Sequence, residues 1–171
     1  MVKIINMVDM NRIHGSDEIV MLLDKAYEQK AMNFKPRGLW YSIDFEWFEW
    51  CVGNMPNWIK RYMHTIELYE SDILIISDIM ELENFQRKYM ERLLNSQFGI
   101  INWAEVTKKY KGIEIRNYYK LKELTDVGLD FMWLYGWDVS SGCIWDLSAI
   151  KSTQVEAVPN QFINQNIDDE Y

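Results

Sequence analysis

The stretch DILIISDIMELENFQRKY, Asp72 to Tyr89, decides the class of fold. Ile73 to Ile76 is an unbroken apolar run of strand length. Asp78 with Glu81 three residues on has the pattern of a capping box, and Ile79, Leu82, Phe85, Tyr89 and Leu93 then recur at helical spacing. A strand running straight into an amphipathic helix predicts a mixed chain of both element types. On the N-terminal side, Thr65 to Tyr69 alternates apolar and polar side chains, which predicts a second strand paired with Ile73–Ile76 through a turn at Glu70-Ser71-Asp72. Leu39 to Ile43 is a short strand, and Phe45 to Cys51 a Trp-rich turn or short helix.

Nearer the N-terminus, Val2 to Met7 has the look of a strand. Ser16 stands as an N-cap with Asp17 and Glu18 in the first turn, and Ile19, Leu22, Leu23, Ala26 and Tyr27 come after it at helical spacing. The pattern predicts a helix that ends near Met32, before the breaker Lys35-Pro36-Arg37-Gly38. Toward the C-terminus, Asn102 with Glu105 opens a short helix to Tyr110, burying Trp103, Val106 and Tyr110, with Gly112 as its stop. Ile113–Ile115, Phe131–Tyr135 and Cys143–Leu147 complete the strands, with Leu121–Asp130 an insertion between two of them. The sum is one α+β domain over residues 1–158, with a mixed, mostly antiparallel sheet and three or four helices. Residues 159–171 form an acidic tail, expected to be flexible.

Composition narrows the function classes. The chain has 171 residues, 49% of them hydrophobic and 26% charged, with 3 prolines, which is globular rather than disordered. No apolar run approaches the length of a membrane span, and the N-terminus carries no secretory signal pattern, so the expectation is a cytosolic protein with no membrane role. A net charge of −8 disfavours direct nucleic-acid binding, which needs a basic surface. Lys151 is the last cation, whereas Glu156, Asp168, Asp169 and Glu170 lie beyond it.

His14, His64, Cys51 and Cys143 are zinc-type ligands, but none is paired at zinc-site spacing, so no metal is expected. The two cysteines are expected to be buried thiols. Phosphate-loop, dinucleotide-fingerprint, nucleophile-elbow and zinc-protease motifs do not occur. What remains is a set of segments at strand ends that each combine a hydrogen-bonding side chain, a glycine and an aromatic. They are His14-Gly15-Ser16, Lys35 to Ser42, Tyr110 to Ile113, and Trp137 to Asp146.

In that order, the strand ending in His14-Gly15-Ser16, the strand Gly38-Leu39-Trp40-Tyr41-Ser42, the strand Tyr110-Lys111-Gly112-Ile113 and the late strand ending in Trp145-Asp146 resemble the ADP-ribosyltransferase superfamily. The segments between Lys35 and Asp146 are also similar to uncharacterised phage-associated proteins that share Lys-Pro-x-Gly-Leu-Trp-x-Ser and Trp-Asp-x-x-Ser-Gly-x-Ile-Trp. The resemblance implies NAD as substrate. His14 would contact a ribose and Trp40 or Tyr41 would stack on nicotinamide, with Gly15, Ser16, Arg37 and Ser42 completing the NAD contacts. An acid near the start of the last strand would hold the nicotinamide ribose. Ser141 occupies that acid's position, and Asp138 is the nearest carboxylate.

The chemistry has its own logic. Cleaving the nicotinamide–ribose bond passes through an oxocarbenium-like cation, which a carboxylate such as Asp138 stabilises as the charge develops. Arg12, Lys35 or Arg37 would meet the pyrophosphate. The expected function is ADP-ribosyl transfer to a protein or small molecule, acting on a host factor if the chain is of phage or mobile-element origin. The alternative is a non-catalytic acidic binding protein on the same fold, an inhibitor of a host defence protein.

Overall fold

The computed structural model describes residues 10–31, 33–92, 99–125 and 129–163. Its centre is a seven-stranded sheet of Arg12–Ser16 (β1), Leu39–Ile43 (β2), Tyr62–Leu68 (β3), Ile73–Ile76 (β4), Gly112–Ile115 (β7), Ser141–Ile144 (β8) and Ile150–Ala157 (β9). The strand order is β4-β7-β8-β2-β1-β3-β9. Among the described strands of this sheet, β4 and β7 run parallel and every other pair is antiparallel. Met90–Arg92 (β5) and Gly99–Ile101 (β6) make a small separate ladder. The described residues hold five α-helices, Glu46–Asn54 (α1), Ile79–Tyr89 (α2), Trp103–Val106 (α3), Tyr118–Thr125 (α4) and Asn160–Ile163 (α5), where three or four were expected. The α+β class and the mostly antiparallel sheet are as the sequence predicts.

Local chemistry explains the elements that match. Asp78 Oδ1 accepts the Glu81 N–H at 2.9 Å, and the Glu81 carboxylate reaches back to the Ser77 N–H at 2.6 Å, so α2 begins where the capping residues require. Asn102 caps α3 in the same way, with Oδ1 accepting the Glu105 N–H at 3.2 Å. Leu82, Phe85 and Tyr89 of α2 are buried; Leu93 lies outside the described residues.

Strand alternation divides the core. One side carries Ile113, Ile115 and Cys143 against Phe85, Trp103, Trp133 and Trp137. Farther along that side, Ile13 and Met63 meet Phe48 of α1 and Phe162 of α5. The opposite side carries Leu39, Tyr41, Ile43, Ile66 and Ile144. Each large side chain so buried contributes about 1.5–3 kcal/mol. Both cysteines are buried and free. Among the described residues no helix is long and apolar enough to cross a membrane.

Four expectations are corrected. Residues 17–31 are not a helix. Ser16 Oγ accepts the Glu18 N–H at 3.0 Å, as a cap does, but the chain then runs across the sheet. Its backbone groups bond to the residues just after β8: the Tyr27 N–H to Trp145 O at 2.6 Å and the Leu147 N–H to Lys25 O at 3.0 Å. Tertiary hydrogen bonds and the docking of Met21, Leu23 and Tyr27 on the sheet outweigh local periodicity, leaving Val20 and Leu22 exposed.

The strands β3 and β4 do not pair with each other; β3 lies between β1 and β9, and β4 joins β7. An apolar run such as Ile73–Ile76 suits a parallel strand covered on both faces rather than one arm of a hairpin. Phe131–Tyr135 is 3₁₀-helical within Leu129–Gly136, since a short apolar run does not distinguish strand from buried turn. Gly112 opens β7 instead of stopping a helix; a Cβ there would stand 2.9 Å from Cys143 O, so the close strand approach needs glycine. The sequence reading contains neither the strand β9 nor the helix α4, which overlaps only the first part of the expected insertion. Val2–Met7 and residues 164–171 of the tail lie outside the described residues.

Candidate functional site

A cleft of about 430 Å³ opens on the Trp-rich side of the sheet. Its floor is β8, β2 and β1, whose alternation turns Ser141, Ser42, Ile13 and Gly15 toward it. One wall comes from the segment after the Leu129–Gly136 turns. There Trp137 packs edge-on against Trp40 with ring centroids 5.0 Å apart. Lys35 lays its stem against Gly136, where a Cβ would stand 2.5 Å from Lys35 Cε, and carries its ammonium over the Trp40 ring at 5.5 Å. That ammonium lies 3.9 Å from the Asp138 carboxylate, which is about 37% exposed.

The other wall comes from α1 and the Pro56–Trp58 turn. Trp47 stacks on Trp50 at 5.0 Å and 9°, and Trp58 leans against both at 6.0 and 6.2 Å. Trp47, Asn57, Trp58 and Lys60 face the cleft.

Asp138 is held in a left-handed backbone conformation, φ 61°, which costs a non-glycine residue energy and marks a turn the surroundings over-determine. Three bonds fix that turn. The Ser140 N–H donates to Glu46 at 2.8 Å, the Ile43 N–H to Ser140 O at 2.9 Å, and the Tyr118 N–H to Ser140 Oγ at 3.2 Å. Burial, with the Asp138 charge nearby, pushes the Tyr118 phenol up to about 12.

The cleft gathers His14, Gly15, Trp40, Tyr41, Ser42, Asp138 and Ser141 from three distant stretches of chain. Ser16 and Arg37 are not among its lining residues. Ser16 closes its local turn, and Arg37 is exposed with its backbone held at both ends by Gln29, at 2.8 and 2.6 Å. Arg12 is also turned away. It is paired with Glu114 at 2.5 Å and Glu70 at 2.5 Å on the opposite side of the sheet. The two serine hydroxyls serve the local chain: Ser42 Oγ donates to Asp44 O at 3.1 Å and Ser141 Oγ to Val139 O at 2.9 Å.

His14 and Tyr41 border the cleft, but the pleat directs both rings to the far side. Tyr41 Oη donates to Glu114 at 2.7 Å, crossing over Gly142 to do so. His14 Nδ1 lies 2.6 Å from Trp40 O, and its ring faces His64, directly opposite on β3, at 6.2 Å. His64 in turn meets Glu18 O at 2.8 Å, beneath the segment that leaves β1. Burial chiefly, opposed by the Trp40 carbonyl and reinforced by His64, lowers the His14 pKa.

A histidine held neutral by the fold binds fewer protons folded than unfolded. Its stability contribution is therefore complete above the ordinary value of 6.5 and is lost as pH falls from 6.5 through the lowered folded value. The thermal midpoint should drop between about pH 7.5 and pH 5.5, and His14→Gln should flatten that part of the curve. An unchanged pH profile in the variant would refute this assignment.

Glu114 is the residue that sequence reading missed. It is fully buried and accepts from Arg12, Tyr41 and Arg116, the last at 2.6 Å. Burial alone would raise its carboxyl, but the hydrogen bonds and charge of Arg12, with Tyr41 and Arg116, outweigh that and hold it below its ordinary value. The signal was a lone charge inside Gly112-Ile113-Glu114-Ile115. Trp47, Asn57, Trp58 and Lys60 were likewise not singled out as cleft residues. Among the described residues no three metal-type side chains converge.

Comparisons of this chain with family models, curated proteins and solved structures give no match.

Proposed function

We propose that the cleft binds NAD and that the protein is an ADP-ribosyltransferase. What supports this reading is the convergence of three of the four singled-out sequence segments, all but Tyr110 to Ile113, on one aromatic-walled cleft that also holds Lys35, Lys60 and Asp138. Planar rings need aromatic platforms, phosphates need cations, and a cleaving site needs a carboxylate near the sugar. The nicotinamide platform falls to Trp40, because the Tyr41 ring is committed to Glu114. Gly15 allows the backbone of β1 to approach the ligand. In the reaction the bond from nicotinamide to the anomeric carbon breaks, and its electron pair leaves on nicotinamide. The acceptor's lone pair forms the new bond to that carbon, and the acceptor's proton passes to solvent. Asp138 stabilises the cationic sugar between those events.

The test is titration with NAD and then assay of released nicotinamide on the same sample. Binding with turnover is expected, and Asp138→Asn should lower turnover about tenfold or more while leaving NAD affinity within about twofold. That is smaller than the 10²–10³ typical of a buried stabilising group, because Asp138 is partly solvated. Turnover unaffected by Asp138→Asn would remove the carboxylate from the mechanism.

A second reading has its own observation. Ser141, at the position where the resemblance expects the acid, is bonded to its own loop, and among the described residues lining the cleft Asp138 is the one carboxylate. A protein of that kind would hold a partner without cleaving NAD. Absence of NAD binding at millimolar concentration, with partner capture weakened by reversal of exposed acids, would select it.

A further inference from the structure

The cleft contacts fall into two groups. Lys35, Trp40, Trp137 and Asp138 touch one another at one wall. Trp47 and Trp58 touch one another at the other, with Lys60 beside Gly15, where a Cβ would stand 3.6 Å from the Lys60 stem. The first group is the one that the proposed reaction uses. The second does no packing that would explain its exposure: Trp58 is 48% exposed although its ring leans on two other indoles. Asn57, next to it, is exposed with both a donor and an acceptor on its amide. Lys60 pairs with Asp17 at 2.9 Å, and that pair is about half exposed on both sides, so solvent screening leaves the ammonium exchangeable for another anion.

From this juxtaposition we infer that the Trp47–Trp58 wall is a second ring subsite, which stacks the adenine of a nucleotide on Trp58 while Lys60 meets its phosphate. The inference rests on the NAD reading for the whole ligand but not for the subsite, because an adenine nucleotide alone satisfies it. An indole face stacks any base, and the adjacent amide can both donate to and accept from the hydrogen-bonding edge that a purine presents. The lysine at each wall then matches the diphosphate that joins the two halves of a dinucleotide, one cation near each end. This wall also explains how an acidic chain gathers a phosphate ligand without Arg12 or Arg37, neither of which reaches the cleft.

The experiment is calorimetric titration of the intact protein and of Trp58→Ala with three probes: AMP, nicotinamide mononucleotide and NAD. Trp58 is half exposed, so its removal should leave the far-UV spectrum and thermal midpoint close to those of the parent. The expected result is AMP affinity lowered about tenfold or more by Trp58→Ala, with nicotinamide mononucleotide changed less than about twofold. Lys60→Met should weaken AMP but not adenosine, which lacks the phosphate. If AMP binds equally well to parent and Trp58→Ala, or not at all to the parent at millimolar concentration, the subsite is refuted. If AMP binds and responds to Trp58→Ala while NAD and nicotinamide mononucleotide do not bind, the subsite stands and the NAD reading falls.

Discussion

Glu114→Ala is expected to cost about 3–5 kcal/mol of folding stability, the usual consequence of removing one partner from a buried ion pair. The carboxylate is inaccessible to water, and its two oxygens take hydrogen bonds from Arg12 on β1, Tyr41 on β2 and Arg116 just after β7. Without it, the Arg12 guanidinium, only 10% exposed, retains Glu70 alone, and Tyr41 Oη loses its acceptor. Water cannot easily replace these bonds where the segment after β1 covers the sheet. Glu114→Gln keeps the volume and one acceptor, so it should cost less than Glu114→Ala. Urea unfolding of the three proteins measures the difference, and a loss below about 1 kcal/mol for Glu114→Ala would mean that the arginines find solvent after all. The sign with pH comes from the lowered carboxyl. Its contribution is present above 4.5 and fades as pH falls below that value, whereas that of His14 begins to fade as pH falls below 6.5.

Gly142→Ala should be about as damaging, at about 3 kcal/mol or more, although it adds a single methyl. Gly142 sits between Tyr41 and Glu114 in the register, so the phenol ring must pass over its Cα to reach the carboxylate. A Cβ there would overlap Tyr41 Cζ and Oη and stand 2.8 Å from Ile113 O. The ring would have to move, and its charged hydrogen bond would go with it. Because the two residues share one cause, their costs should not add. In a double-mutant cycle, Gly142→Ala should cost distinctly less in the Tyr41→Ala background. Additive costs would show that the overlap with Ile113 O, not the ring, is what glycine avoids.

The pattern of legibility has a physical basis. Strands β2, β4 and β7 and the helix α2 could be read from sequence because their signals are local: an apolar run, or a cap such as Asp78 with its partner Glu81. Residues 17–31 carried an equally good helical signal, but their hydrogen-bond partners, Trp145 and Leu147, lie more than a hundred residues away. Pairing was illegible for the same reason, and so β3 and β4 were joined through their short turn. For the site, short motifs at strand ends did find residues that share one cleft. They did not say which way each side chain points, since a shift of one position exchanges the two faces of a strand. That is why Trp40 and Ser42 look into the cleft while His14 and Tyr41, named beside them, look away.

The position of β8 has a consequence for how the chain reaches this state. Its partners are β2, whose Leu39 meets Ile144, and β7, whose Gly112 meets the same residue. The strand β9 comes later still and closes on β3. The middle of the sheet and one border are thus supplied by the last third of the sequence. As the chain emerges from the ribosome, the bonding edges of β2, β3 and β7 are made long before the strands that cover them. Such long-range pairing folds on the millisecond-to-second scale rather than in microseconds. Until residue 144 is available the edges of β2 and β7 stay open, and until residue 157 that of β3, so the yield will depend on what keeps those edges from other chains.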